Sequence, residues 1–391
     1  MAIKIGFIDI SKPLESVYVD GRYESFFAVV NWGYLPIALV ELRNYPPYLF
    51  EPKHLKSKLL NAAGYRLWEL SASGQLNDLR GSQCAMPPIS VVVCTRDRPV
   101  TLDRCLSALQ KVDYPEFEVI VVDNASRMGN VAQVVANRRF HYVREDRPGL
   151  DWARNRGVLE ANHDLIAYID DDAYATPGWL RGIAHGFAND KIMAVTGMVL
   201  PAELETQAQK DFENYGGMSK GFESFEVEWG NLHGPNRFWA SSWGVGANMA
   251  FRRQVFERVG MFDPALDVGT ATRGGGDIEF FFRIVASGYR LRYEPAAMVQ
   301  HVHRRSHEDL LNQIRDNGRA LPAFLMVSVS NFPELQPSIF WFATRWWLGD
   351  WVLKRLFSNS PVNRRWALTE LKGSLGSLDA YRHSRKTVTN F

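Results

Sequence analysis

The sequence of 391 residues has few cysteines and no long apolar run. Its three cysteines, Cys84, Cys94 and Cys105, are an odd number, which does not suit a closed disulfide framework, so we expect reduced thiols. No stretch approaches the roughly 18 consecutive apolar residues of a membrane span, and the first residues lack the apolar core and cleavage site of a signal peptide. These absences predict a cytoplasmic protein that is neither secreted nor membrane-spanning.

The chain also lacks a large net charge. Its 45 basic and 43 acidic residues leave a formal charge of +2, which argues against nucleic acid as a partner. Apolar residues make up 46% of the chain and charged residues 23%, a composition that supports a sizeable buried core. Any anionic ligand must therefore be held by a local site.

Three regions of the chain differ in pattern. Residues 1–87 begin with short apolar segments separated by Gly, Asn and Pro and continue into an amphipathic helical stretch, which predicts a small β-rich module of unknown role. The segment 71–88, rich in Ser, Gly and Pro, is the predicted linker. Residues 88–320 form the predicted main domain, and residues 321–391 form a helical C-terminal extension.

Strand-like and helical segments alternate within the main domain. Strands rich in Val and Ile, separated by helices of about ten residues, predict an α/β fold with a mainly parallel sheet flanked by helices. In such sheets ligands bind beyond the carboxyl ends of the strands. Three polar clusters lie at these ends: Thr95 to Asp97, Asp123 with Asn124, and Asp170 to Asp172. We therefore expect them to meet in one crevice.

The acidic triplet Asp170-Asp171-Asp172 predicts a metal site. Three adjacent carboxylates repel one another, and Mn²⁺ or Mg²⁺ prefers oxygen ligands, commonly one or two carboxylates plus substrate phosphates. Asp170 and Asp172 point to the same side of an extended segment, and Asp171 points to the other. The alternative is a solvated turn that caps the following helix. We predict Asp172 and then Asp170 as the metal ligands.

Four segments of the main domain, ISVVVCTRDRPVTLDRCLSAL, FEVIVVDNAS, RPGLDWARNRG and LIAYIDDDA, follow one another in a recognisable order. They resemble the successive blocks of family 2 glycosyltransferases with the GT-A fold, over about residues 88–305. The resemblance implies a GT-A-type, Rossmann-like sheet. It also implies that Asp170 and Asp172 match the D-x-D motif, which binds a divalent ion held by the diphosphate of the sugar donor.

The same resemblance implies roles for nucleotide and donor residues. Thr95 and Arg96 would lie near the nucleotide, and Asp123 would recognise the uracil or ribose. Arg154 would contact the nucleotide or phosphates, and Asp171 would face away or toward the donor sugar. The alternatives are that Asp123 caps the next helix and that Arg154 belongs to a solvated helix face.

Asp277 in RGGGDIEFFFRIV is the candidate general base. It opens a helix behind three glycines, so a simple N-cap is the alternative. The family has the aspartate of an acidic pair at this place as its base, and Asp277 matches it, whereas Gly276 replaces the preceding acid. Glu279 is a possible substitute. A base is needed because an acceptor hydroxyl is a poor nucleophile, and one base opposite the leaving group gives inversion.

The segment QHVHRRSHED supplies candidate histidine ligands. The family often has a metal- or phosphate-binding histidine here, so we predict His301, with His303 as the close alternative and a surface cluster of basic residues as the other interpretation. In FWASSWGVGAN, Trp239 and Trp243 precede the turn where the family acceptor would lie, although tryptophan is equally common in cores. The predicted acceptor contacts are Trp243, Asn248 and Glu279.

Residues 338–357, SIFWFATRWWLGDWVLKRLF, combine aromatic residues with Arg345, Lys354 and Arg355 and resemble an interfacial membrane helix. The alternative is a helix packed on the catalytic domain, because the charges do not fall on one clean face. We expect contact with a membrane surface, on the cytoplasmic face of the inner membrane.

The sequence therefore predicts a metal-dependent, inverting glycosyltransferase of the hexosyltransferase class. It would move a sugar from a nucleotide-diphosphate sugar, most simply a UDP-sugar, to a saccharide or lipid-linked saccharide hydroxyl in bacterial surface polysaccharide synthesis. A nucleotide-sugar-binding scaffold without catalysis is the alternative that Gly276 suggests. A sugar nucleotidyltransferase or a dinucleotide dehydrogenase would need a Gly-rich loop after the first strand, and CTRDRP has none.

Overall fold

The computed structural model describes residues 2–43, 48–74, 76, 85–127, 129–358 and 360–389. Part of the predicted linker, together with Cys84, lies outside the described residues. Cys94 and Cys105 carry free thiols, and burial raises the pKa of both.

The N-terminal region forms two small sheets and a helix. Strands β1 (Ala2–Asp9), β3 (Tyr23–Trp32) and β4 (Leu35–Arg43) pair in the order β1-β3-β4, and β2 (Val17–Tyr18) pairs with β5 (Leu49–Phe50). Helix α1 (Pro52–Ala72) turns Leu55, Leu59 and Ala63 toward β4, because a four-residue spacing places them on one helix face. These elements therefore share one hydrophobic cluster.

A nine-stranded mixed sheet forms the centre of the molecule. Its strands are β6 (Ile89–Thr95), β7 (Phe117–Asn124), β8 (His141–Glu145), β9 (Leu165–Asp170), β10 (Ala173–Ala175), β11 (Ile192–Pro201), β12 (Phe225–Val227), β13 (Asn248–Arg252) and β14 (Arg290–His301). They are ordered β10-β14-β11-β13-β9-β6-β7-β8, with β12 on β14. Strands β8, β7, β6 and β9 run parallel, as do β11 and β14, whereas β13 runs antiparallel between β9 and β11.

Helices cover both faces of this sheet. They are α2 (Pro99–Leu109), α3 (Asn130–Arg138), α4 (Leu150–Glu160), α5 (Trp179–Gly186), α6 (Gln207–Tyr215), α7 (Arg253–Val259) and α8 (Gly276–Ala286). On β6, Val91 and Val93 pack toward α2 and α5, and Val92 packs toward α4 on the other face. This two-sided burial explains the continuous apolar strand and confirms the predicted α/β fold with a mostly parallel central sheet.

The N-terminal sheet packs against the edge of the main sheet. Ile3 forms a backbone bridge with Leu204, and the hydroxyl of Tyr34 donates to Asp113 at 2.8 Å. Val29 of β3 shares a buried cluster with Met198 of β11 and with Tyr293 of β14. The contacts are therefore both apolar and polar.

The C-terminal region is helical, as predicted. Helix α9 (His307–Asn331) spans residue 320, where the sequence suggested a boundary. It is followed by α10 (Gln336–Trp341), a π-helical continuation (Phe342–Leu353), a last turn (Lys354–Leu356), α11 (Pro361–Ser374) and α12 (Ser377–Thr389). Short 3₁₀ turns lie at Trp229–Asn231, Gly234–Arg237, Ala240–Ser242, Pro264–Leu266 and Pro333–Leu335. Among the described residues no helix has the length and apolarity needed to cross a membrane.

Helices α9 and α11 cross at very close range. A Cβ atom on Gly318 would collide with the backbone at Glu370, and one on Gly373 would collide with the backbone at Arg315. The two glycines therefore permit the crossing that brings Glu370 to the wall of the central cavity.

Candidate active site

Asp170, Asp172 and His301 meet at one edge of the main sheet and form the candidate metal group. Asp170 ends β9, and the antiparallel pairing of β10 with β14 brings His301 beside the chain that follows Asp172. One potential ligand atom from each of the three residues lies within 4.8 Å of the others, and His301 Nε2 is 3.1 Å from Asp172 Oδ1. Two carboxylates and an imidazole are a donor set that suits Mn²⁺ and can also hold Mg²⁺.

The electrostatics of this group differ between its two aspartates. Burial raises the pKa of Asp170. Burial also acts to raise the pKa of Asp172, but the hydrogen bond and positive charge of His301 outweigh it and hold that pKa at about 2. Asp172 is therefore ionised more readily than Asp170.

His303 supports His301 and does not reach the aspartates. Its Nε2 lies 2.8 Å from Glu213 Oε1, and its Nδ1 lies 3.3 Å from His301 Nδ1. Only 3% of His303 is exposed. Of the two alternatives, the structure places His301 with the carboxylates.

Asp171 faces the loop that follows β6. The Thr95 hydroxyl donates to its Oδ2 at 2.6 Å, and Arg98 Nη1 donates to its Oδ1 at 3.1 Å and approaches Asp172 Oδ2 at 3.3 Å. Burial raises the pKa of Asp171 to about 6, although Arg98 opposes the shift. Sequence reasoning missed Arg98, whose one signal is its place in the loop TRDRP. Arg96 is exposed beside it.

Asp123 at the end of β7 has one carboxylate oxygen free to bind a ligand. Its Oδ2 accepts hydrogen bonds from the Tyr142 hydroxyl at 2.8 Å and from Arg144 Nη1 at 3.0 Å. Its Oδ1 is buried and has no hydrogen-bond partner within the described part of the chain. The N-cap residue of helix α3 is Gly129, so Asp123 does not cap this helix. A buried unpaired acceptor is costly, which makes this oxygen a natural site for a ligand N–H or O–H.

Asn124 fixes the loop that leads into α4. Its side chain accepts a hydrogen bond from Gly149 N at 2.7 Å and donates to Arg147 O at 2.8 Å. Gly149 has a φ of +147°, and a Cβ atom there would also crowd Asp267. This geometry sets the position of Asp151 and Arg154 in the helix.

Arg154 and Asp277 line one cavity with Asp170. The cavity has a volume of about 600 Å³. Arg154 is buried, and its Nη1 donates to Asp151 Oδ1 at 2.9 Å, so it does not belong to a solvated helix face. Asp277 Oδ2 accepts a hydrogen bond from Gly246 N at 2.7 Å. The cavity therefore combines a carboxylate of the candidate metal group, a buried cation and a carboxylate at a helix start.

Comparison with known proteins finds a family match within the main domain. Residues 90–260 match the model of glycosyl transferase family 2. Over these residues the chain is similar to that family. The chain is 26% identical over 250 residues to a probable N-acetylgalactosaminyltransferase 9 of Caenorhabditis elegans, covering 59% of this chain and 42% of the relative. It is 23% identical over 253 residues to the glycosyltransferase AglE of Haloferax volcanii, covering 63% and 77%. The chain thus spans less than half the length of the first relative.

A solved structure supports a GT-A fold for the main sheet and its helices. A mannosyltransferase from Pyrobaculum calidifontis, solved in complex with GDP-Man and Mn²⁺, superposes with a TM-score of 0.52 at 16% identity. The match covers 75% of this chain and 88% of the other.

Glu279 faces away from the cavity. Its carboxylate is buried, accepts hydrogen bonds from Arg283 Nε at 2.9 Å and Nη2 at 2.8 Å, and also receives one from Asn331. It therefore does not take the place of the acid that Gly276 replaces. A side chain at Gly276 would instead collide with the carboxylate of Asp151, which occupies that space.

The sequence suggested Asn248 and Trp243 as acceptor contacts. In the structure both side chains lie in the core. The Asn248 side chain is fully buried, accepts from Trp179 Nε1 and donates to two backbone carbonyls, so its hydrogen bonds are satisfied. Trp243 is 3% exposed and packs in the main hydrophobic cluster. Trp239, by contrast, lines the cavity.

The C-terminal region completes the aromatic side of the cavity. Trp351 and Glu370 line it, and the Trp351 ring lies 5.0 Å from that of Trp239. Glu370 accepts hydrogen bonds from Trp351 Nε1 and from the Tyr215 hydroxyl. Sequence reasoning missed Glu370 because nothing in the helical segment around it indicates a site.

Proposed function

We propose that the protein is a metal-dependent, inverting glycosyltransferase that moves a sugar from a nucleotide-diphosphate sugar to a hydroxyl of a saccharide or lipid-linked saccharide. The observation that carries the proposal is the single cavity that Asp170 of the metal group and Asp277 line together. A transferase needs the metal site and the general base close to one reacting centre, because the diphosphate leaves from the same carbon that the acceptor hydroxyl attacks.

The residues of the cavity and of the adjoining candidate metal group would divide the reaction between them. Asp277 would take the proton of the acceptor hydroxyl as that oxygen attacks the anomeric carbon, and the Gly246 N–H would hold the carboxylate in place. Asp170, Asp172 and His301 would hold Mn²⁺ or Mg²⁺, which neutralises charge developing on the leaving diphosphate. Attack opposite the leaving group breaks the bond to the diphosphate and inverts the anomeric configuration.

A UDP-sugar is the proposed donor, with GDP-mannose as the competing candidate. The unpaired Asp123 Oδ1 can accept a hydrogen bond from an imide N–H of uracil or from a ribose hydroxyl. The choice of a UDP-sugar is motivated by the N-acetylgalactosaminyltransferase among the relatives. The choice of GDP-mannose is motivated by the GDP-Man complex of the structural relative.

A donor panel tests the proposed function. UDP-glucose, UDP-galactose, their N-acetylated forms and GDP-mannose are incubated with the protein, with and without Mn²⁺, and nucleoside diphosphate release is measured. Release that depends on Mn²⁺ with one donor is the expected result. Release of pyrophosphate from a sugar phosphate and a nucleoside triphosphate would instead indicate a nucleotidyltransferase. Tight donor binding without any turnover would indicate a scaffold.

Replacement of Asp123 by alanine is expected to weaken UDP binding by about 10- to 100-fold, because a hydrogen bond to a charged group is worth roughly 1.5–3 kcal/mol. Isothermal titration with UDP and Mn²⁺ measures the effect. The control is Asp190→Ala, which removes an exposed carboxylate at the opposite edge of the sheet. Equal UDP affinity in both variants would contradict the assignment of Asp123.

We also propose that residues 338–357 contact an anionic membrane surface, where a lipid-linked acceptor for surface polysaccharide would lie. One side of the segment packs inward through Phe342, Trp347 and Val352. The other side leaves Phe340 at 68% exposure, Trp341 at 48% and Phe357 at 80%. Exposed aromatic rings with Arg345 and Lys354 nearby suit the headgroup region of an anionic bilayer.

The wild-type protein is expected to sediment with phosphatidylglycerol vesicles at low salt. Replacing Phe340, Trp341 and Phe357 by serine should weaken vesicle binding at least about tenfold, because apolar rings lose their burial in the bilayer. The control replaces Tyr65 and Trp68, an exposed aromatic pair on α1, by serine. Recovery of the wild-type protein entirely in the supernatant would exclude membrane contact.

A further inference from the structure

Asp151 in the first turn of α4 has a carboxylate oxygen that nothing in the described structure uses. The residue is 1% exposed. Its Oδ1 accepts the hydrogen bond from Arg154 Nη1, whereas its Oδ2 is buried and has no hydrogen-bond partner among the described residues. Fixing Arg154 requires one oxygen, so the second carries an uncompensated burial cost unless a ligand reaches it.

The free oxygen lies beside the residue that precedes the proposed base. Asp151, Gly276 and Asp277 all line the cavity, and a Cβ atom on Gly276 would collide with Asp151 Oδ2. Gly276 does not have a positive φ and lies within helix α8, so its backbone does not require glycine. The packing requires glycine at this position, because only a residue without a side chain leaves room for the Asp151 carboxylate.

The surroundings of Asp151 favour a neutral hydrogen-bond donor as the ligand. Burial raises the pKa of Asp151, and the nearby carboxylates of Asp267 and Asp277 raise it further, whereas Arg154 is the cation that lowers it. A second anion, such as a phosphate, would add to the negative charge of this corner. A sugar hydroxyl supplies the missing donor without adding charge.

We infer that Asp151 Oδ2 binds a hydroxyl of the acceptor saccharide next to the hydroxyl that Asp277 deprotonates. The inference rests on the proposed function, since it places the acceptor on the Asp277 side of the cavity. Two carboxylates side by side select an acceptor that presents two neighbouring hydroxyls. Asp151 is thus a residue for acceptor recognition, and the acceptor class is a pyranoside with a vicinal diol.

The test compares acceptor use with donor use in Asp151→Ala. The acceptors are p-nitrophenyl glycosides of glucose, galactose, mannose and N-acetylglucosamine, with the monodeoxy analogues of each. Asp151→Ala is expected to lower kcat/KM for the acceptor by about 10- to 100-fold, a larger factor than any change in acceptor-free donor hydrolysis or in UDP–Mn²⁺ binding. A role confined to positioning Arg154 would lower donor hydrolysis and UDP binding by the same factor as acceptor use, and that result would overturn the inference.

The deoxy analogues identify the hydroxyl that is bound. With the wild-type protein, removal of one non-reacting hydroxyl should lower kcat/KM by the same factor as Asp151→Ala, and the variant should be insensitive to that removal. Saturation-transfer NMR with UDP–Mn²⁺-loaded protein checks binding of the same glycosides. Absence of both transfer and binding with every glycoside would overturn the inference, whereas Mn²⁺-dependent donor hydrolysis would still support the proposed function.

A carboxylate exchange separates recognition from folding. Gly276→Asp alone should lose acceptor use, since the new side chain displaces Asp151 Oδ2. Asp151→Ala combined with Gly276→Asp should regain at least about tenfold of the loss, because the double variant returns a carboxylate to the same space. Gly64→Ala, in open space on α1, is the control for a glycine substitution. Thermal unfolding verifies that each variant is folded. A folded double variant with no recovery of acceptor use would contradict the inference.

Discussion

Replacement of Asp277 by asparagine is expected to lower kcat for sugar transfer by about 10²–10⁴-fold, the usual contribution of a general base. The amide oxygen of asparagine can still accept the hydrogen bond from Gly246 N, so the loop and the helix start keep their geometry. The amide cannot accept the proton of the acceptor hydroxyl. Binding of UDP with Mn²⁺ should therefore stay intact, and steady-state transfer assays together with isothermal titration separate the two effects.

Asp309→Asn is the matched control for this variant. Asp309 lies in the first turn of α9, and the substitution makes the same chemical change at the start of another helix. Transfer by this control should equal that of the wild-type protein. Unchanged transfer by Asp277→Asn would remove Asp277 from the role of base, and loss of UDP binding would show that the variant had disturbed the cavity as a whole.

Replacement of Asp172 by asparagine, or of His301 by glutamine, is expected to weaken Mn²⁺ binding at least about 100-fold, because each removes one side chain of the proposed ligand group. Asp172→Asn should have the larger effect, since it also removes a negative charge. Mn²⁺ binding is measured by electron paramagnetic resonance, and donor hydrolysis is measured as a function of Mn²⁺ concentration. Excess Mn²⁺ should restore part of the hydrolysis in His301→Gln.

The control for the histidine variant is His307→Gln. His307 is exposed in the first turn of α9 and lies 3.0 Å from Asp211 Oδ2, outside the metal group. Its replacement should leave the Mn²⁺ dependence of hydrolysis unchanged. If His301→Gln and His307→Gln bound Mn²⁺ equally well, His301 would be only a partner of Asp172 and not a metal ligand.

The sequence was sufficient for the parts of the site that follow directly from strand ends. Asp123 and Asp170 end parallel strands, and parallel strands bring their carboxyl ends to one edge, so their common location could be predicted from apolar periodicity alone. His301 was predictable for a similar reason, since it ends β14. The sequence analysis preferred His301 to His303 on the family resemblance, and in the structure His301 lies 3.1 Å from Asp172 whereas His303 pairs with Glu213.

Residues chosen only because they lie near a motif were a weaker basis for prediction. Asn248 and Trp243 flank the turn at Gly246, but their side chains point into the core, where the asparagine bonds to the backbone. Glu279 follows Asp277 by two positions, which on a helix turns it about 200° away from the cavity and toward Arg283. Nearness in sequence does not determine which side of the chain meets a cavity.

Some residues of the site gave little or no signal in the sequence. Arg98 contacts Asp171 across a gap of 73 residues, and Arg144 contacts Asp123 across 21. Glu370 reaches the cavity only because α9 and α11 cross at Gly318 and Gly373. Such contacts depend on loop conformations and helix crossings that no local pattern encodes.

The sequence by itself determined the α/β class, the family 2 resemblance and the edge of the sheet where polar strand ends meet, because apolar periodicity and strand direction are local properties. Only the tertiary structure decided which carboxylate fills the space beside Asp277. Gly276 leaves room in α8, and Asp151 enters it from α4, 125 positions earlier in the chain. That pairing arises from close packing between distant elements, where one missing side chain and one buried carboxylate are complementary in shape.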